Sequence, residues 1–448
     1  MDACTKFAND FHYATLDPNN DYPITQYLET DMTRKVDSLA YVDIHSKYKK
    51  IIWDGMPVEE SLEPTISYLE AEKDVISLQM DYQVSYTNEN GESEKYQVKD
   101  YFRVRKTNIR MYLLDYERTA ERIFSSENQV FAENSVNLGI QWQDVPYMAN
   151  EEGSVVNFII SDELWCYDVA QNKLSKVFSF KNGNDKRGLH EEFEIQMVNM
   201  EDSGSMDFIV KGYMNRGRHE GETGVAVMRY DGLTNTTEEL LFIESSECSD
   251  VLAQTVGKLI YISYDDKMYL SFAGDIFAID LNTKSVEVLT EDLQAGDYLI
   301  SRAGDMIAWQ HGEDRFSSTQ ITTMDMKTGV RHTYTAKEGE YLRPLGFSSN
   351  DFIYGICAQA DVAEDFAGNT LFPMYRVEIV DSKGALIRDF DYLSKNKYVV
   401  SANMQNNRIN LQCISKNEDG VYVEALAEAI TSSEEEIVSS ISLTEMNH

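Results

Sequence analysis

The chain has 448 residues, and its 76 Asp or Glu against 40 Lys or Arg give a formal net charge of −36. Nucleic acids and anionic membrane surfaces attract Lys and Arg, so this excess of acids argues against both as partners. No stretch approaches the roughly 18 apolar residues of a membrane-spanning helix. With 42% hydrophobic residues, the composition predicts an acidic globular protein with a large core and no membrane span.

The N-terminal segment lacks the apolar run of an export signal, because Asp2, Lys6 and Asp10 interrupt it. Residues 24–38 contain enough Leu, Met and Glu to predict a short helix. We therefore expect a short helical segment ahead of the main body of the fold.

Six segments further along repeat one pattern. In each, a stretch of alternating apolar and polar residues ends in Asp, and a polar turn leads to a second such stretch. This pattern is typical of a β-hairpin. The segments are 111–124, 164–178, 227–242, 276–290, 320–334 and 375–390, with Asp115, Asp168, Asp231, Asp280, Asp325 and Asp381 before the turns. A carboxylate in this place accepts hydrogen bonds from backbone N–H groups of the turn. The recurrence therefore indicates turn chemistry, and a ring of catalytic or metal-binding carboxylates is the alternative.

Alternating apolar segments upstream of several hairpins, such as 256–264 and 350–358, supply two further strands. A unit of about four strands in roughly fifty residues has the size of one propeller blade. Residues 397–430 supply three more strands. The sequence thus predicts an all-β, seven-bladed β-propeller, with eight blades as the alternative. We expect a single domain over 1–448, with an irregular or ring-closing segment at 1–75, blades at 76–430 and an acidic tail at 431–448.

The segment 297–334 carries a small polar turn, then the strand Ile307-Ala308-Trp309, and later a strand that ends in Asp-x-x-Thr-Gly at 325–329. This order resembles a blade of the TolB-type and Trp-Asp-like β-propellers. The turn departs from the usual Ser-Pro-Asp-Gly, because residues 301–304 read Ser-Arg-Ala-Gly. The resemblance implies a fold and no particular activity.

Blade topology places the loops between second and third strands at one end of every sheet and the short hairpin turns at the other end. The predicted second-to-third loops are long, at 212–224, 310–320 and 356–375. Long loops on a rigid scaffold are where binding residues concentrate, so we place the binding site on this long-loop face.

The candidate binding residues are Arg216, Arg218, His219, Arg315, Phe366 and Phe372. The first three form a basic island that predicts a site for an anion, such as a carboxylate or a sugar acid, held by arginine forks. Neutralisation by Glu220, Glu222 or acids of other blades is the alternative. The phenylalanines predict an apolar partner site if they are exposed together, and a small satellite core if they fold under.

No nucleophile elbow, phosphate loop or Cys-x-x-Cys pair occurs, so we predict no cofactor, no metal and no identifiable catalytic residue. Residues 17–21 resemble the start of a calcium loop, but Tyr22 stands where Gly is needed, and we expect a turn held by Asx hydrogen bonds. His190, Glu192 and Glu194 share one strand face, for which a solvated surface is favoured over a cation site.

These features predict a non-enzymatic, monomeric propeller that binds a protein, peptide or glycan on the long-loop face. The alternative is a propeller enzyme, a glycan hydrolase or lyase, with carboxylates near the central channel. Acidic, Tyr- and Thr-rich all-β chains without enzyme motifs are commoner among exported bacterial proteins. We therefore expect a secreted or cell-envelope bacterial protein that has lost an export or anchor segment, with a cytoplasmic location as the alternative.

Overall fold

The computed structural model describes residues 2–431, except 18, 34–37, 128–129, 133–134, 140–144, 183–184, 190–191, 295, 313, 365–367 and 406–407. Most of the described residues lie in antiparallel strands. The helices there are α1 (Asp2–Leu16), α2 (Tyr48–Ile51) and α3 (Ser249–Thr255). Within this part of the chain, no helix has the length and apolar character required to cross a membrane.

The predicted short N-terminal helical segment is confirmed, but its α-helix lies at Asp2–Leu16 and not in the described part of residues 24–38. Only Ile24–Gln26 of the described part of that segment forms a short helical turn. The buried residues of α1 recur at intervals of one, three and four and lie on one face. At the centre of this face Phe11 packs edge-on against Phe102, with 5.6 Å between ring centres.

The helix covers a five-stranded antiparallel sheet, which we call the N-terminal sheet. Its strands are β1 (Tyr41–Asp43), β2 (Glu59–Ala71), β3 (Val75–Thr87), β4 (Ser93–Lys106) and β5 (Met111–Ile123), in the order β1-β5-β4-β3-β2. Its hydrophobic core is drawn from residues 4–120. The predicted hairpin at 111–124 is wrong, because β5 runs through Asp115 without a turn. The alternation continues past Asp115, and its neighbour Leu114 is accommodated by a bulge against β4.

Four four-stranded antiparallel sheets follow a small hairpin, β6 (Phe131–Ala132) and β7 (Ser135–Val136). Sheet 1 contains β8 (Tyr147–Ala149), β9 (Val155–Ile160), β10 (Glu163–Asp168) and β11 (Lys173–Phe178). Sheet 2 contains β12 (Phe193–Met200), β13 (Met206–Tyr213), β14 (Thr223–Asp231) and β15 (Thr236–Ser245). Sheet 3 contains β16 (Val256–Ile262), β17 (Lys267–Phe272), β18 (Asp275–Asp280) and β19 (Val286–Thr290). Sheet 4 contains β20 (Tyr298–Ile300), β21 (Met306–His311), β22 (Gln320–Asp325) and β23 (Arg331–Thr335).

Sheet 5 follows the same pattern with a longer insertion. It contains β24 (Glu340–Ser348), β25 (Asp351–Ala358), β28 (Met374–Val380) and β29 (Leu386–Asp391), and the short β26 (Ala363–Glu364) and β27 (Thr370–Leu371) pair within the insertion. The last strands are β30 (Tyr398–Gln405), β31 (Arg408–Lys416) and β32 (Tyr422–Thr431). They join sheet 5 where Met374 pairs with Val399.

Consecutive sheets pack face to face through shared hydrophobic clusters. In β13, Phe208 belongs to a cluster with sheet 1, whereas its neighbour Ile209 belongs to a cluster with sheet 3. In β21, Ala308 packs with sheet 5 and Trp309 with sheet 3. Both faces of such strands are covered, which explains their unbroken apolar runs. The predicted all-β, propeller-type architecture is confirmed, while the number of blades stays a prediction.

Five of the six predicted Asp-marked hairpins are confirmed. Each carboxylate accepts one or two backbone N–H groups of its turn at 2.8 to 3.1 Å, and the residues are Asp168, Asp231, Asp280, Asp325 and Asp381. These bonds hold the pKa of Asp231 and Asp280 below the usual value. Each aspartate serves the turn of a different sheet.

The strand order confirms the predicted loop topology. The loops 212–224, 310–320 and 356–375 connect second to third strands in sheets 2, 4 and 5, so they emerge at one common end. The predicted boundary at residue 75 falls where β2 and β3 pair in one sheet. The division of the chain into domains stays a prediction, and residues 432–448 of the expected tail lie outside the described residues.

Candidate functional site

The basic island of the 212–224 loop is largely neutralised within the protein. Arg216 donates through Nε to the carbonyl oxygen of Phe180 at 2.7 Å and forms an ion pair with Asp185. Asp185 also pairs with Arg187, whose Nη1 lies 2.7 and 2.9 Å from the two carboxylate oxygens of Glu220. Bonds from Arg187 hold the pKa of the Asp185 carboxyl well below its usual range.

His219 is enclosed by acids. Its ring nitrogens lie 2.9 Å from Glu222 and 3.0 Å from Glu239, and the ring stacks on Phe242 at 3.8 Å. Burial lowers the pKa of His219, but the hydrogen bonds to the two carboxylates outweigh it and raise that pKa overall. Arg218 is exposed and makes no ion pair or hydrogen bond with any described residue. Neutralisation by neighbouring acids is thus the better interpretation for Arg216 and His219.

A second cationic group lies where the 310–320 loop meets β24 and the insertion of sheet 5. We call Arg315, Phe316, Arg343 and Phe372 the Arg315–Arg343 cluster. The guanidinium carbon of Arg315 lies 5.3 Å from the centre of the Phe316 ring, and that of Arg343 lies 5.1 Å from the same ring. Arg343 also lies 5.8 Å from the centre of the Phe372 ring, and the two rings are 6.1 Å apart. The long-loop face therefore carries two arginines around one pair of aromatic rings.

Hydrogen bonds within the 310–320 loop hold this arrangement in place. The carboxylate of Asp314 accepts the N–H of Phe316 at 3.0 Å, which fixes the turn that carries the ring. The N–H of Leu342 donates to the carbonyl oxygen of Ser318 at 2.8 Å, which ties the loop to β24 beside Arg343. Phe372 is buried in the core of sheet 5 and gives the cluster a rigid base.

Neither arginine of the cluster has an acidic partner among the described residues, and neither donates a hydrogen bond there. Arg229, by contrast, has two acidic partners, because it lies 2.7 Å from Asp207 and 2.8 Å from Asp266. Burial, with the charge of Arg315 adding to it, lowers the pKa of Arg343. Two neighbouring positive charges are therefore left unpaired in the described part of a chain with a net charge of −36.

The structure brings together only some of the predicted binding residues. Arg315 and Phe372 meet in the cluster, while Arg216, Arg218 and His219 lie on the 212–224 loop. Phe366 lies outside the described residues. Arg343 and Phe316 complete the cluster, and sequence reasoning missed both. The assignment of binding residues remains a prediction.

The strongest group of acid and base side chains elsewhere is buried in the N-terminal sheet. The Nδ1 atom of His12 lies 3.4 Å from Asp100, and its Nε2 atom lies 3.1 Å from Glu60. Asp100 also accepts hydroxyl groups from Tyr82 at 3.1 Å and Tyr116 at 3.3 Å. His12 and Asp100 are fully buried, so a substrate has no access to them, and the network is structural.

The two cation patterns of the sequence have simpler explanations. The N–H of Asn19 donates to the carboxylate of Asp17 at 2.9 Å, which confirms the predicted Asx turn. His190 lies outside the described residues, and Glu194 pairs with Lys211 at 3.1 Å. Across the described ranges, no three His, Cys, Asp or Glu side chains are arranged to hold a metal ion.

No protein-family model matches the chain, and no curated protein is similar to it. Solved structures similar to it include TolB from Acinetobacter baumannii, at 14% identity and a TM-score of 0.26 over 93% of this chain and 92% of that one. An oligogalacturonate lyase in complex with manganese matches at 10% identity and 0.31, over 78% and 93% of the two chains. A Pyrococcus horikoshii acylaminoacyl peptidase matches at 10% and 0.30, over 81% and 52%.

Proposed function

We propose that the chain is a non-enzymatic binding protein that uses the long-loop face to hold an anionic group of a protein, peptide or glycan ligand. The Arg315–Arg343 cluster is the observation that carries this proposal. A location outside the cytoplasm and a monomeric state are parts of the same proposal, and they rest on composition alone.

The physical support is the placement of unpaired charge. Partial burial of the Arg343 guanidinium group without an acidic partner costs free energy, and the neighbouring charges of Arg315 and Arg343 repel each other. The chain has 76 acidic residues, and some of them pair with other arginines, as Asp207 does with Arg229 and Asp389 with Arg376. Charged groups that have no partner in the folded protein are characteristic of binding sites, where the ligand supplies the missing partner. A bound anion would neutralise the cluster and accept its hydrogen bonds.

A glycan-cleaving enzyme is the second candidate, and the described acids give it less support. Glycoside hydrolysis uses two carboxylates about 5 to 10 Å apart, both open to substrate. Each aspartate at the five hairpin turns accepts a hydrogen bond from a backbone N–H group of its own turn. The five turns belong to five different sheets. In the acid and base network around His12, His12 and Asp100 are fully buried and closed to a substrate. Binding without chemistry is therefore the simpler proposal.

A combined glycan and peptide array tests the proposal with three proteins. These are the wild type, the double variant Arg315→Gln/Arg343→Gln, and the control Arg302→Gln. Arg302 is exposed and lies in the turn between β20 and β21, at the opposite end of sheet 4. We expect signals that the double variant loses and the control keeps. Signals that the double variant keeps, or no signal with the wild type, would contradict the proposal.

A further inference from the structure

The free hydrogen-bonding capacity of the Arg315–Arg343 cluster is large. Each guanidinium group carries five N–H donors, and none of them reaches an acceptor among the described residues. Attraction to the face of an aromatic ring leaves the in-plane N–H groups available for a second partner. Both guanidinium carbons lie within 5.3 Å of the centre of the Phe316 ring, so they are at most about 10 Å apart, and a ligand that lies beside this ring is near both of them.

The charge of the protein selects among anions. A carboxylate carries one negative charge, whereas a phosphate monoester carries about 1.5 to 2 near neutral pH. The field of a chain with a net charge of −36 opposes a doubly charged ligand more strongly. Burial beside the rings of Phe316 and Phe372 also costs more for the doubly charged group. The two oxygen atoms of a carboxylate match the planar fork of arginine, so a carboxylate is favoured.

The polar groups around the cluster argue against a sugar acid. The hydroxyl group of Ser317 donates to the carbonyl oxygen of Asp314 at 3.2 Å, and that of Ser318 donates to the carbonyl oxygen of Gln320 at 2.9 Å. These side chains already have partners, whereas a sugar would need several for its hydroxyl groups. The neighbouring surface that remains includes the partly exposed ring of Phe316, which suits an apolar group attached to the carboxylate.

We infer that the Arg315–Arg343 cluster binds an apolar carboxylate, in the form of the C-terminal carboxylate of a peptide that ends in an aromatic residue. The two arginines hold the carboxylate, and the partly exposed ring of Phe316 borders the terminal side chain. This inference rests on the proposed function, because it specifies the ligand class of the same face.

Isothermal titration of the full chain at low ionic strength tests the inference with N-acetyl-phenylalanine and its C-terminal amide. We expect a dissociation constant in about the millimolar range for so small a ligand. The amide should bind at least about tenfold more weakly, because it lacks the charge that strengthens the hydrogen bonds from arginine. Arg315→Gln and Arg343→Gln should each weaken binding by about tenfold, while Arg302→Gln, with the same change in charge, should have no effect.

Other outcomes overturn the inference in distinguishable ways. Equal binding of acid and amide, or tighter binding of inorganic phosphate or galacturonate, would show that the ligand class is wrong. Array signals limited to glycans, and lost in the double variant, would contradict the inference and leave the proposed function standing. Glu313 lies outside the described residues. If N-acetyl-phenylalanine binds to the Glu313→Gln variant and not to the wild type, the inference fails, because the carboxylate of Glu313 then competes with the ligand.

Discussion

Replacing Arg343 by Met should leave the stability of the protein almost unchanged, although the side chain is half-buried. The two arginine charges lie at most about 10 Å apart, so their repulsion is at least about 0.4 to 1.7 kcal/mol for effective dielectric constants between about 80 and 20. Met removes this repulsion and packs a similar apolar volume against the rings. It also loses two contacts between cation and ring, each worth about 0.5 to 1 kcal/mol. The opposing effects nearly cancel, and we expect a change within about 1 kcal/mol.

The matched comparison is Arg229→Met. Arg229 is bound to the carboxylates of Asp207 and Asp266, so its removal leaves the buried Asp207 without its main partner and should cost about 1 to 3 kcal/mol. Urea unfolding midpoints of wild type and the two variants check both values. A loss of more than about 2 kcal/mol in Arg343→Met would show that its charge is already satisfied in the folded protein, which refutes the reasoning for an anion site.

Three further changes test other parts of the structure. The raised pKa of His12, which the carboxylates of Asp100 and Glu60 cause against the effect of burial, contributes stability that is complete below about pH 6.5 and is lost as pH rises through the folded-state pKa. His12→Asn should therefore flatten the decline of the melting temperature above that pH. Asp280→Ala should lower the melting temperature, and the difference from wild type should shrink as pH falls through the lowered pKa of Asp280. Gly212→Ala should destabilise by at least about 2 kcal/mol in urea unfolding, because φ is +122° and a Cβ would meet the backbone of β12 and the residue before it.

The turn aspartates show which part of the fold can be predicted from sequence. A local rule, in which one carboxylate serves the N–H groups of its own turn, predicted five hairpins and with them the spacing of the sheets. The rule failed at Asp115, where the strand continues because long-range pairing with β4 outweighs the local preference. Aspartate occurs both at the hairpin turns and inside β5, so the residue alone does not identify a turn. The informative signal at Asp115 is that apolar and polar residues go on alternating after it.

The N-terminal helix was missed for a different reason. Cys4, Phe7, Ala8 and Phe11 have the spacing of a buried helical face. The charged residues between them were interpreted only as interruptions of an export signal. In the structure these charges lie on the exposed side of the helix, where Lys6 pairs with Asp10 at 2.8 Å. Periodicity, and not the length of the apolar run, was the informative feature of this segment.

The candidate site was only half predictable. Loop length pointed to the end of sheet 4 that carries Arg315, because loops between rigid strands are visible in the sequence. Arg343 belongs to β24 and has the polar alternation expected of a strand, so nothing local distinguishes it. Its significance comes from packing between the loops of two sheets. The absence of an acidic partner among the described residues is likewise a property of three-dimensional neighbours.

Nuclear magnetic resonance of the arginine side chains tests the central claim most directly. The Nε–H signals of Arg315 and Arg343 can be assigned by loss of each signal in its Gln variant, and then followed during titration with N-acetyl-phenylalanine. We expect both signals to shift downfield and saturate together, while the signal of Arg302 stays in place. Unchanged signals for Arg315 and Arg343 at saturating ligand, or equal shifts with the amide, would contradict the assignment of this cluster as a carboxylate site.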